Sequence, residues 1–319
     1  MTNSRFAFPP SRDAIFLTDG GLETTLVFLE GVDLPCFAAF PLLRSEEGRA
    51  RLDRYFEPYI RTAVERDVGF ILDTPTWRAN PDWGARLDVS LEGLADVNQD
   101  AVRWASRLRD RLSDAKERVL INGVVGPRGD GYRPDAQMTA EEAQAYHAPQ
   151  VEAFREAGAD MVSAVTMNYA QEAIGIARAA EALGMPVVVS FTVETDGRLA
   201  SGETLRSAIE RTDRETGHTP AYYMINCAHP THFDGILSEQ DGWTRRIRGL
   251  RANASAKSHA ELDESTELDP GDPEDLAGRY RALREHMTQL SVLGGCCGTD
   301  HRHIAAICEA CVPASGGAP

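Results

Sequence analysis

At 319 residues the chain is long enough for one large α/β barrel or two ordinary domains. Its 33 basic and 49 acidic residues leave a net charge of -16, which argues against nucleic acid or an anionic membrane as a partner, because phosphate would be repelled. No apolar run approaches the roughly 20 residues of a membrane span, and Met1-Thr2-Asn3-Ser4-Arg5-Phe6 lacks the apolar stretch of a secretory signal. A cytoplasmic protein is therefore expected. In that compartment six cysteines serve as metal ligands, catalytic groups or buried side chains rather than as disulfides.

The first apolar run, residues 14–18, reads as a buried parallel strand that ends in Asp19-Gly20-Gly21-Leu22-Glu23-Thr24-Thr25. An acid followed by two glycines at a strand end has the character of a site. Apolar residues Leu52, Phe56, Tyr59, Ile60 and Ala63 then recur at helical spacing over residues 49–66. A second strand over 68–73 opens into Thr74-Pro75-Thr76-Trp77-Arg78-Ala79-Asn80-Pro81-Asp82-Trp83, where the prolines argue against regular structure. Trp77 and Trp83 either line a binding mouth or pad the loop.

The alternation continues with a helix over 91–112, a strand over 119–127 that stops at Gly126-Pro127, a helix over 140–157, a strand over 161–166, a helix over 170–183 and a strand over 186–192. It proceeds through a helix over 203–215, a strand over 222–227, a short helix over 232–238, a strand over 246–251, a helix over 273–288, a strand over 290–293 and a final helix capped by Thr299 or Asp300. Eight near-continuous apolar strands alternating with helices predict a single (β/α)8 TIM barrel over residues 1–319, with an open doubly wound sheet as the alternative. The acid-rich stretch 253–272 reads as a solvated loop, or as a lid if it lies at the barrel mouth. The tail 313–319 carries the low-complexity run Ala314-Ser315-Gly316-Gly317-Ala318 and is expected to fray.

The chemistry concentrates in Val292-Leu293-Gly294-Gly295-Cys296-Cys297-Gly298-Thr299-Asp300. Adjacent cysteines on a regular strand point to opposite faces, so the flanking glycines must break the pleat for both thiols to reach one point. A third thiol stands at the end of Tyr222-Tyr223-Met224-Ile225-Asn226-Cys227. Three thiolates from two strand ends make a zinc site with an open fourth position, suited to a substrate thiol. The alternative is that these are small buried core residues. Cys308 and Cys311 have C-x-x-C spacing but lie on the predicted last helix without a partner pair, and read as buried packing. His229 steadies its loop in this reading, and His301 and His303 belong to a first helical turn.

These motifs resemble those of the zinc-dependent homocysteine S-methyltransferases. The resemblance runs from Asp19-Gly20-Gly21-Leu22-Glu23-Thr24 through Gly126-Pro127 and Asn226-Cys227 to Gly294-Gly295-Cys296-Cys297-Gly298-Thr299. It implies a barrel whose Cys227, Cys296 and Cys297 bind zinc and are catalytic, and a homocysteine thiolate that attacks an activated methyl group. Asp19 matches the family's acid near the bound amino acid. After the fourth strand the family carries a glutamate for the substrate ammonium, whereas this chain has Val165 in Ser163-Ala164-Val165-Thr166-Met167-Asn168. Asp19, Thr166, Trp77 and Glu194 are thus the candidate substrate-binding residues, Glu194 as the replacement acid. A small-molecule thiol and a small methyl donor are the expected partners; a sulfonium or quaternary ammonium donor would suit Trp77, Trp83 or Tyr169. The competing readings are methylation of a different thiol and a thiol-binding module that serves a separate methyl carrier. A zinc hydrolase would need a histidine and carboxylate ligand set that these motifs lack.

Overall fold

The computed structural model describes residues 8, 14–112, 117–135, 137–238 and 241–313, so the glycine-rich tail lies outside the described residues. The apolar runs become eight parallel strands: β1 Phe16–Leu17, β2 Gly69–Asp73, β3 Val119–Val125, β4 Met161–Met167, β5 Val187–Phe191, β6 Tyr223–Asn226, β7 Ile247–Ala252 and β8 Val292–Gly295. Phe16 pairs with Gly69 of β2 on one side and with Val292 of β8 on the other, which closes the sheet into a barrel and eliminates the open-sheet alternative. No helix among the described residues is long and apolar enough to cross a membrane.

Continuous apolar strands are required because both faces are covered. Outward-pointing Leu17, Phe70, Ile121, Val162, Val189, Ile225 and Leu293 join the helices in the main core, while Phe16, Ile71, Met161, Val188, Met224 and Val292 plug the barrel interior. Above that plug the inward residues become polar and satisfy one another. Asn122 Nδ2 donates to Asp73 at 2.7 Å, Ser163 Oγ to Asn122 at 3.0 Å, and Ser190 Oγ to Asn226 at 2.6 Å. This belt carries the interior from an apolar floor to a polar mouth at the C-terminal ends of the strands.

The helices start where local chemistry dictates. Ser45 accepts from Gly48 N at the start of Glu46–Glu65, and Thr139 with Glu142 forms a full capping box at the start of Ala140–Ala157. Two stretches read from the sequence as irregular contain short helices. Pro81–Arg86 is helical because Pro81 occupies the first turn, where its missing N–H is not needed, and Asn80 caps it. His259–Asp263 interrupts the acid-rich stretch behind a Ser258–Glu261 capping box.

Candidate functional site

The C-terminal face opens into a cavity of about 480 Å³. Cys227, Cys296 and Cys297 line it, and their sulfurs lie within 4.8 Å of one another, a donor set able to hold a metal ion. Glycine makes this approach possible. A Cβ on Gly21 would lie 2.6 Å from the Cys296 carbonyl oxygen, and Gly298 turns the chain after the cysteine pair at φ +82. Cys227 itself sits in the left-handed region at φ 53, as does Thr166 at φ 64. Strain of this kind in non-glycine residues costs about 1 to 3 kcal/mol and persists only where the surroundings impose it.

Those surroundings are explicit. Asn226 Oδ1 accepts from Thr166 N at 3.0 Å while its Nδ2 donates to Thr166 Oγ1 at 2.9 Å, holding the β4 bulge that turns Val165 and Thr166 into the cavity. Asn253 Nδ2 donates to the Cys227 carbonyl at 3.1 Å, and His259 Nε2 reaches the same oxygen at 2.5 Å. His259 is in turn held by Glu194 at 2.9 Å through Nδ1 and stacks on Tyr132 with ring centroids 4.0 Å apart. Tyr132 faces Cys297 and partly offsets the burial that pushes the Cys297 thiol up to about 11.

Cys227 and Cys296 are joined as a disulfide, with Cα atoms 5.4 Å apart. The expectation favoured metal ligands, catalytic groups or buried side chains over disulfides, and this pair departs from it while the other four cysteines are free. Strand ends that bring sulfurs within reach of one metal also bring them within reach of one another, so oxidation and metal binding draw on the same thiolates. Cys308 and Cys311 are buried on the final helix, His301–Cys311. His229 bonds Thr231 Oγ1 at 2.8 Å in its own turn, and His303 is buried between Asp300 and the Pro270 carbonyl, so both are structural.

Asp19, Thr166 and Trp77 line the cavity; Glu194 does not. Asp19 is already engaged by protein partners. Arg251 Nη2 donates to it at 2.6 Å and Tyr55 Oη at 3.1 Å, while Arg251 Nη1 bonds Asp73. Burial nevertheless pushes the Asp19 carboxyl up to about 7 against the pull of Arg251. The tryptophans are also engaged: the Arg78 guanidinium lies 3.5 Å from the Trp83 ring centre and 4.5 Å from that of Trp77. Tyr169 is buried with its hydroxyl accepting from Met138 N at 3.1 Å, away from the cavity lining. Arg251, Tyr132, His259, Glu23 and Arg78 were not identified from the sequence. A lone arginine closing an apolar strand, as in Gly249-Leu250-Arg251, was the signal available for the first of them.

Glu23 projects into the same cavity, and burial raises its carboxyl to about 6 from an ordinary 4.5. Charging it therefore opposes folding: its contribution is most favourable below about 4.5 and is lost as pH rises through about 6. In the reduced, metal-free protein, Glu23→Gln should gain thermal stability over the parent between about pH 4 and pH 7. A difference in Tm that does not change across this window would reject the assignment.

The acid-rich stretch folds over this site, contributing Leu262, Asp263, Glu267, Leu268 and Asp269 to the cavity wall. The model for the homocysteine S-methyltransferase family matches residues 16–311. The homocysteine S-methyltransferase of Escherichia coli (strain K12) is 27% identical over 202 residues, a match spanning 59% of this chain and 62% of that protein's length. The crystal structure of the Escherichia coli homocysteine methyltransferase MmuM in its oxidized form superposes with a TM-score of 0.75 at 22% identity, covering 96% of this chain and 98% of that one. Its metallated form gives 0.71 at 23% identity, covering 92% and 95%. These two structures share the barrel. With the family model matched across all eight strands and both cysteine motifs, this chain belongs to the homocysteine S-methyltransferase family.

Proposed function

We propose that this protein is a zinc-dependent S-methyltransferase that moves a methyl group from a small activated donor to the thiol of homocysteine, giving methionine. The reading rests on three cysteine sulfurs converging within 4.8 Å on a cavity at the C-terminal face of a barrel of this family. Cys227, Cys296 and Cys297 would hold the metal, and zinc on three thiolates keeps a fourth position in which a substrate thiol is favoured as thiolate at neutral pH.

The chain's own groups then supply position. Asn253 and His259 fix the Cys227 backbone, and Tyr132 packs on Cys297. In the transfer a sulfur–carbon bond forms to the methyl carbon as the donor's bond from that carbon to its own heteroatom breaks. The electron pair leaves with the heteroatom, and the thiol proton passes to solvent. A cationic donor, a sulfonium or quaternary ammonium, leaves as a neutral molecule. Asp130, Asp263, Glu267 and Asp269 on the cavity wall favour the approach of such a cation.

The test is metal analysis of the reduced protein followed by mass-spectrometric identification of products from several thiols and donors. Stoichiometric zinc and methionine from homocysteine are expected. Methylation by zinc-free protein would overturn the metal assignment. Turnover that appears only when a separate methyl-carrier protein is added would favour the thiol-binding module instead.

A further inference from the structure

An amino-acid acceptor carries an ammonium and a carboxylate into a partly buried site, and each is costly to leave unpaired. Neither position expected to meet the ammonium offers an unengaged carboxylate here. Val165 lines the cavity where the family resemblance calls for an acid, and Asp19 is held by Arg251 and Tyr55. Glu194 is turned to His259. The cavity nevertheless carries the Glu23 carboxylate and the Arg78 guanidinium, and among the described residues neither side chain is hydrogen-bonded or ion-paired to another residue; Asp263 and Glu267, on the acid-rich stretch, are unpartnered acids of the same wall.

Their placement fits a zwitterion. Glu23 follows Gly21, whose close approach to Cys296 seats this turn on the cysteine loop, and Glu23 and Cys297 line the same cavity. Arg78 leaves β2 just after Trp77, and its buried Nε has no hydrogen-bond partner. Stacking against Trp83 and Trp77 fixes the plane of the guanidinium, which leaves its N–H edge for a carboxylate. Glu23 and Arg78 line the same cavity without forming an ion pair with one another. A structural salt bridge would have closed that gap.

We infer that Glu23 and Arg78 form the clamp for the acceptor's amino-acid head, Glu23 binding the ammonium and Arg78 the carboxylate, while the thiol reaches the cysteine cluster. This assigns the specificity of the site to two residues on the loops after β1 and β2, in place of an acid after β4. It rests on the reading that the cysteine cluster receives a thiol substrate. Arg251 has a separate part: by bonding Asp19 and Asp73 it competes with the ammonium for both acids.

The test compares L-homocysteine with 4-mercaptobutanoate, which lacks the ammonium, and with 3-aminopropane-1-thiol, which lacks the carboxylate. Parent, Glu23→Gln, Arg78→Gln and Arg78→Lys are studied as the reduced, zinc-loaded full chain. Catalytic efficiency and calorimetric binding are both measured, so that a variant or parent without turnover still reports on the clamp. Glu23→Gln should lower the preference for homocysteine over 4-mercaptobutanoate about 10- to 100-fold, and Arg78→Gln should lower the preference over 3-aminopropane-1-thiol by a similar factor, with partial recovery in Arg78→Lys. Preferences that stay unchanged in both measurements, or a parent that favours either truncated thiol, would overturn the clamp. Methylation with variant-insensitive preferences would leave the methyltransferase reading standing without it. Clamp-dependent thiol binding with no methylated product from any donor would do the reverse.

Discussion

Alanine at Cys227, Cys296 or Cys297 is expected to abolish stoichiometric zinc and to lower methyl transfer by more than the roughly 10- to 100-fold that follows loss of an outer-shell partner. Each thiolate would supply one of three bonds to the ion, and no histidine or carboxylate lies close enough to complete the cluster among the described residues. Cys308→Ala and Cys311→Ala should keep the metal, because both thiols are packed into the last helix. The barrel itself should survive metal removal with most of its circular dichroism, since its core is a continuous two-layer apolar structure rather than one stapled by the ion. Metal analysis under reducing conditions checks all five variants. Stoichiometric zinc in all three of the cluster variants, or its loss from the two helix variants alone, would move the site elsewhere.

Replacement of Arg251 by methionine should cost about 3 to 5 kcal/mol of stability, measured by denaturant unfolding. The guanidinium is buried between Asp19 and Asp73, and its loss leaves two carboxylates within the barrel without their cation. Arg251 also donates through Nε to the Gly295 carbonyl at 3.3 Å, and its own carbonyl accepts from Cys227 N at 3.1 Å. It therefore ties β6, β7 and β8 together at the points where the cysteines leave them. Zinc affinity should fall with stability. Adding Asp19→Asn and Asp73→Asn to Arg251→Met should recover part of the loss, because the penalty comes from unpaired charge. A single variant that loses less than about 1 kcal/mol would show that water or neighbouring dipoles already satisfy both acids.

Barrel architecture was legible in the chain because parallel strands covered on both faces must be written as short apolar runs, and helices between them as 3.6-residue periodicity. The same logic placed Cys227, Cys296 and Cys297 at strand ends: glycines beside adjacent cysteines have a local reason that needs no tertiary knowledge. Strand ends shifted by only a few positions. The resemblance also implies an acid where Val165 stands, and the sequence offers no way to tell which groups would face a substrate ammonium instead.

Tertiary structure decided the rest. Asp19 and Arg251 are 232 residues apart and meet only because β1 closes against β8 and β7 lies beside it. Hydropathy encodes which face of a strand is buried and is silent on which strand ends converge, so the pairing of Asp19 with Arg251 had no signature in the sequence. For the same reason the stacking of Tyr132 on His259, the approach of Cys227 to Cys296 and the unpaired charges of Glu23 and Arg78 appear only after closure. The chain by itself determined a barrel with three thiols at its mouth. Which charged groups are satisfied by the protein, and which remain for a ligand, depends on contacts between loops that barrel closure alone brings together.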